Sequence, residues 1–296
     1  MRFERDELRL IGGVRHGRTL GSPVAVEILN SEWPKWELEM SAAPGTPTQK
    51  QTKPRPGHAD LAGMQKYSFD DARDVLERAS ARETAARVVA GALAKALLST
   101  IGVAIVSHVT RIGEVATPSD RRPLPGDLET VDENEVRCFD PESAAAMVLE
   151  IKAAAKVGDS LGGIVEVIAY GVPVGLGSHV HWDRKLDGLL AGALMSIHAV
   201  KAVEIGDGFA QAAQRGSVAH DAIAVDDTFD QGGGFIRRSD HAGGLEGGIS
   251  SGAPIIAKVA MKPLSTLNRP VLETVDVVTH GYSGRAADEV EPRFAM

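Results

Sequence analysis

The stretch SARETAARVVAGALAKALLSTIGVAIVSHV, residues 80–109, decides the fold class. Ser80 and Glu83 form the S-x-x-E pattern, in which a hydroxyl and a carboxylate satisfy free N–H groups at a helix start. A helix is therefore expected from Ala81 to about Ser99. Ala85, Ala86, Ala90, Gly91, Ala92, Ala94 and Ala96 keep it slim on several faces, so that other backbones can come close. The expected place for such a helix is inside the protein. Gly102 ends it, and the branched run Val103–Val109 reads as a strand.

Working outward, Leu8–Ile11 and Val24–Leu29 are short apolar or alternating runs separated by Gly12, Gly13, Gly17 and Gly21, as in a β-hairpin. Residues 31–56 carry Pro34, Pro44, Pro47, Pro54 and Pro56 and read as a long loop, a length usually reserved for functional or disordered segments. Thr117–Glu135 is a second polar loop. Pro141–Lys156 is an expected helix with proline in its first turn, where its missing N–H costs nothing. Ile164–Ala169, Ile255–Met261 and Val271–Val278 read as strands, and Leu186–Lys201 as a second helix rich in small residues. Gln211–Arg238 is polar and contains several glycines, without a clear period. Strands fall in adjacent groups instead of alternating strictly with helices. That pattern favours α+β with antiparallel sheets over a doubly wound fold. No clean linker divides the chain, so a single domain is expected.

With 296 residues and 43% hydrophobic content the chain can bury a sizeable core. Its net charge of −8 disfavours non-specific nucleic-acid binding, which needs many unopposed phosphate contacts. One cysteine, Cys138, excludes a disulfide framework and points to a reducing compartment. The opening MRFERDELRL is charged throughout, unlike a signal peptide. The apolar stretch Val88–Leu98 is broken by Gly91 and Lys95 and is too short for a bilayer. A cytoplasmic protein without a membrane partner is expected.

Several segments could carry chemistry. In RPGHAD, Arg55–Asp60, the histidine is expected to be exposed at the end of a flexible loop. Histidine titrates nearest neutral pH, so His58 suits a general acid, although on this segment alone a surface turn is the better reading. Arg78, Arg82 and Arg87 cluster at the helix start, where free N–H groups and the positive dipole end favour a phosphate. The competing reading is a solvated face paired with Glu77 and Glu83. VEIGDGF, Val203–Phe209, places Asp207 between glycines, which is often just a turn. HAGGLEGGISSG, His241–Gly252, could bring backbone N–H groups against a phosphate or a flavin. KPLST, Lys262–Thr266, sets a cation and two hydroxyls just after a strand. No CxxC, HExxH or Gly-x-Ser-x-Gly pattern supports a metal site or a serine hydrolase.

Together with FERD, GVRHGRTLGSP, NSEWPKW, KYSFDDARDVLERASARETAARVVAGA, GDSLGGIVEVIAYGVPVGLGS and LMSIHAVKAVEIGDGF, these segments resemble the chorismate synthase family, in family order from Phe3 to Thr274. The resemblance implies a β-α-β sandwich, with helices packed between antiparallel sheets, over residues 1–279. Residues 280–296 form a non-matching tail. It implies 1,4-elimination of phosphate from 5-enolpyruvylshikimate 3-phosphate to give chorismate, with reduced FMN as cofactor. It also implies NADPH as a reductant in some members, and a homotetramer.

Residue by residue, it makes His58 the proton donor to the reduced flavin, and Arg55 and Arg82 substrate ligands. Arg78, Ala79 and Ser80 are flavin-binding. So are His198 and Ala199, Gly247, and the run Lys262, Pro263, Leu264, Ser265 and Thr266. Departures accompany it, beginning with His198, where the family usually has Asn or Gln. A family Gly-Glu-Ser-His-Gly opening is missing ahead of Met1, and the VRHG segment with His16 matches a different part. The Arg-Ser-Asp segment expected after Thr274–Asp276 is replaced by VVTHGYSGRAADEVEPRFAM. Asp240 stands where the family usually has Asn. These departures leave open a truncated, inactive relic that binds flavin weakly or not at all, or a phosphate-binding flavoprotein with another reaction.

Overall fold

The expected hairpin forms from β1 (Glu7–Gly12) and β2 (Ala25–Leu29), antiparallel, with Glu7 opposite Leu29 and Leu10 opposite Val26. The computed structural model describes residues 7–79, 81–118, 121–228, 231–269 and 271–283, leaving aside the side chains of 81, 82, 231, 232 and 283. Contacts divide the chain into one unit of Met1–Leu93 with Pro270–Met296 and a second of Ala94–Arg269.

In the first unit the proline-rich loop is irregular apart from the single helical turn Trp33–Trp36. Two helices that its polar composition hid follow it: α1 (Asp60–Tyr67) and α2 (Arg73–Leu76). Gly63 lets them touch, because a Cβ there would lie 2.6 Å from Val75 Cγ1. The Asp71 carboxylate accepts the N–H groups of Gln51 and Arg73 at 3.0 and 2.9 Å, fixing the entry to α2. The Arg73 guanidinium sits 4.8 Å above the Trp36 ring.

The strand expected at Val271–Val278 is reduced to Thr274–Val275, paired with Tyr282–Ser283. Asp276 ends it by accepting the N–H groups of Val278 and Thr279, a local bond that competes with a ladder.

Helix α3 (Ala81–Ser99) follows the sequence pattern, beginning in the first unit and ending in the second. Its expected burial does not follow. Val88 and Leu97 are 66% and 70% exposed.

The second unit is built on a five-stranded antiparallel sheet. Its strands are β3 (Ala104–Ile112), β4 (Val115–Ala116), β5 (Gly163–Tyr170), β6 (Val200–Ile205) and β9 (Ile255–Met261), in the order β4-β3-β5-β9-β6. Helix α4 (Pro141–Val157) starts on an Asp140 cap that accepts the Ser143 N–H, and ends at Gly158 with φ +77°. Its Ala144 and Met147 pack with Cys138, Val109 and Ile112.

Helix α5 (Leu186–Met195) is shorter than expected. The chain turns through Ala199 at φ +65° and VKAVEI becomes β6, because pairing with β9 rewards its alternating branched residues. A hairpin of β7 (Leu245–Glu246) and β8 (Ile249–Ser250) precedes β9.

The sheet has two unlike faces. Ile105, Ala169, Ile255 and Ile205 pack with Leu98 of α3 and with Leu186 and Leu190 of α5. On the opposite face Val106, Ile168 and Ile256 are fully buried, each contributing roughly 1.5–3 kcal/mol. Beside them runs a polar row: His108 opposite Glu166, Glu166 opposite Lys258, and Lys258 opposite Glu204. Among the described residues no helix is long and apolar enough to cross a membrane.

Candidate functional site

In the first unit, RPGHAD folds onto the start of α1. Asp60, the first residue of that helix, is 1% exposed. Its Oδ2 accepts the backbone N–H and the Nε–H of Arg55 at 3.1 and 2.9 Å, and its Oδ1 accepts from Arg55 Nη2 at 3.3 Å. The same Oδ1 is in short contact with His58 Nδ1. Burial pushes the Asp60 carboxyl up. The hydrogen bonds from His58 and Arg55 and the Arg55 charge outweigh that and hold it well below the usual carboxylate range.

The segment is fixed from outside as well. Pro54 O accepts the Thr274 hydroxyl, and Thr52 O accepts the Val277 N–H at 3.0 Å. His58 is consequently not the exposed group of a flexible loop. Its side chain is 18% exposed, Nδ1 is committed to Asp60, and Arg55 Nη2 lies 3.2 and 3.4 Å from its two ring nitrogens. The signal for this was local: arginine, histidine and aspartate at positions 55, 58 and 60 can close on one another without any distant partner.

The basic cluster is only partly assembled. Arg78 is exposed just past α2, and Ala79 N–H donates to Val75 O at 3.1 Å. Ser80 and the Arg82 side chain lie outside the described residues. Arg87 Nε donates to Glu83 Oε1 at 2.9 Å, one helical turn apart, so that part of the cluster is a paired face.

In the second unit, His198–Ala199 and Lys262–Thr266 are brought together. Lys262 N–H donates to Ala199 O at 3.0 Å at the end of β9, and the Ser160 hydroxyl donates to Leu264 O at 2.8 Å. Gly162 lies directly beneath, where a Cβ would meet Met261 O at 2.6 Å. The lysine with the Ser265 and Thr266 hydroxyls is a donor set suited to a phosphate. Gly247 is not part of this group. It turns the β7–β8 hairpin, which Ser251 N–H ties to Gly244 O beside the start of β9, whereas Lys262 follows its end. Seven residues of strand, rising about 3.3 Å each, separate the two places.

The VEIGDGF turn and the glycine loop interlock. His241 Nδ1 lies 2.7 Å from Asp207 Oδ2, and Asp207 N–H donates to His241 O at 2.9 Å. The Asp221 carboxylate accepts the N–H groups of His241 and Ala242, both at 2.9 Å. Burial pushes the neighbouring Asp240 carboxyl up, only partly offset by Arg122. The polar row also escaped the sequence. His108 Nε2 and Arg122 Nε both approach Glu166 Oε1, at 3.1 and 3.0 Å.

Comparison with known proteins settles the family. The chorismate synthase family model matches residues 1–292. The chain belongs to the chorismate synthase family. It is 56% identical to a chorismate synthase of Thermobifida fusca, over 94% of this chain and 72% of that protein. It is 58% identical to one of Saccharopolyspora erythraea, over 94% and 71%. A solved structure titled as a crystal structure of chorismate synthase superposes with a TM-score of 0.74 at 41% identity, covering 88% of this chain and 72% of that one. The antiparallel α+β fold is therefore that of the chorismate synthase family, and the family match spans both units of the chain.

Proposed function

We propose that the chain catalyses the reaction its family resemblance implies: loss of phosphate from 5-enolpyruvylshikimate 3-phosphate to give chorismate. The observation that carries this is the Arg55–His58–Asp60 group, a histidine held between a buried carboxylate and a guanidinium in a chain of this family. His58 serves as the proton donor, through Nε2, the ring nitrogen that Asp60 does not engage. Arg55 and Arg82 are assigned to the substrate, whose phosphate and carboxylates suit the planar guanidinium fork.

The donors of Lys262, Ser265 and Thr266, joined to His198–Ala199, suit the phosphate end of FMN. Arg78, Ala79, Ser80 and Gly247 are the remaining flavin-binding positions that the family resemblance implies. The chemistry that reduced FMN supplies when bound is the loan and recovery of an electron in an elimination without net redox change. NADPH as a reductant, a homotetrameric assembly and a cytoplasmic location complete the reading. The buried free thiol of Cys138 supports a reducing compartment.

The test is to supply the purified chain with pre-reduced FMN and substrate under anaerobic conditions and follow chorismate and phosphate. His58→Ala should lower turnover about 10²–10⁴-fold, the range of a general acid, with a much smaller change in flavin affinity. Equal turnover of variant and parent would remove the role.

A further inference from the structure

We propose that Asp60 is a positioning residue that fixes the tautomer of His58, so that Nδ1 carries a proton permanently and Nε2 is the nitrogen that exchanges one. This rests on the reading of His58 as a proton donor. An ionised carboxylate can only accept hydrogen bonds, so the short contact between Asp60 Oδ1 and His58 Nδ1 requires hydrogen on Nδ1. The approach of Arg55 Nη2 to Nδ1 at 3.2 Å is then donor against donor and is not a hydrogen bond. Nε2 lies 3.4 Å from the same Nη2 and, with the hydrogen on Nδ1, is the ring nitrogen able to accept from it.

The carboxylate is itself oriented. Arg55 delivers both its backbone N–H and its Nε–H to Oδ2, at 3.1 and 2.9 Å, so the two oxygens are not interchangeable. Oδ2 takes two Arg55 donors, whereas Oδ1 takes the short contact from His58 Nδ1 and only a longer approach from Arg55 Nη2 at 3.3 Å. In Asp60→Asn the two Arg55 donors keep the amide oxygen at the Oδ2 place, and the amide NH₂ must face Nδ1. That nitrogen then has to accept, and the proton moves to Nε2. The variant keeps size and packing but inverts the histidine.

Two readouts separate this from a structural role. In the ¹⁵N spectrum of the parent protein, with neutral imidazole, His58 should show a protonated Nδ1 and a bare Nε2. In Asp60→Asn the two signals should exchange character. Turnover should fall on the order of 10²-fold with KM little changed, and Asp60→Asn should cost nothing further in a His58→Ala background, because residues acting as a unit are not additive.

A parent spectrum with Nε2 protonated overturns the proposal, and it needs no variant to fold. So does an equal loss from Asp60→Asn with and without His58. If His58→Ala alone has parental turnover, the proton-donor reading fails, while the tautomer measurement still decides whether Asp60 sets the ring.

Discussion

His241 Nδ1 and Asp207 Oδ2 stand 2.7 Å apart and bolt the glycine loop to the VEIGDGF turn. The hydrogen bond to Asp207 raises the His241 pKa above its ordinary 6.5, partly opposed by burial and helped by the charges of Asp207, Asp221 and Asp240. A histidine whose folded value exceeds its unfolded one stabilises the fold below the unfolded pKa. That stability is lost as pH rises through the folded value. Asp207→Asn should therefore destabilise the protein more at pH ~6 than at pH ~8, by about 1 kcal/mol or less for a partly exposed pair. Urea unfolding at both pH values checks this, and a gap that widens with pH would contradict it.

Glu166 holds the buried His108 and the Arg122 guanidinium on one oxygen. Burial pushes its carboxyl up, yet His108 and Arg122 bring it below its usual value of 4.5. For a carboxylate the sign is reversed. Its contribution is present above the unfolded value and disappears as pH falls through the lower folded one. Glu166→Ala strands the buried His108 and leaves the partly exposed Arg122 without this acceptor, and should cost about 3–5 kcal/mol in denaturant unfolding at neutral pH. Glu166→Gln, which keeps one acceptor, should cost less. Loss of under about 1 kcal/mol in Glu166→Ala would show that the row is not a buried network.

Gly206 and Gly247 share nearly the same backbone, φ +59° and +60°, in opposite surroundings. A Cβ on Gly206 would lie 2.2 Å from His241 O and 2.6 Å from Gly243 N, whereas Gly247 has nothing within 4 Å. Both alanine variants bear the left-handed strain, roughly 1–2 kcal/mol. Only Gly206→Ala must also push two backbones apart, so it should be the less stable by a further ~1–3 kcal/mol. Thermal unfolding of the pair tests this, and equal Tm values would mean that the loop and the turn are not interlocked.

Much of the chain was legible because its signals are local. A proline behind the Asp140 cap and a Gly158 stop define α4. Alternating branched residues define β3, β5 and β9, and their clustering gives the antiparallel class. RPGHAD marked His58 by composition. It did not show that Asp60 is buried or that Arg55 turns Nε and Nη2 onto it, since that depends on the side chains folding back onto the start of α1.

What escaped the sequence depends on partners far along the chain. VKAVEI suits a helix as well as a strand until β9 offers a ladder, and the helix expected to Lys201 stops at Met195. His108 and Glu166 are 58 residues apart, and nothing in either segment marks them as neighbours. Their pairing follows from sheet register, set by which strand faces bury Val106, Ile168 and Ile256. Gly206 likewise reads as an ordinary turn glycine until its loop meets that of Gly243. Caps, periods and motifs act over one or two turns of chain and are written in residue order. Register, burial and the pairing of charges far apart in sequence arise only when distant segments exclude water together.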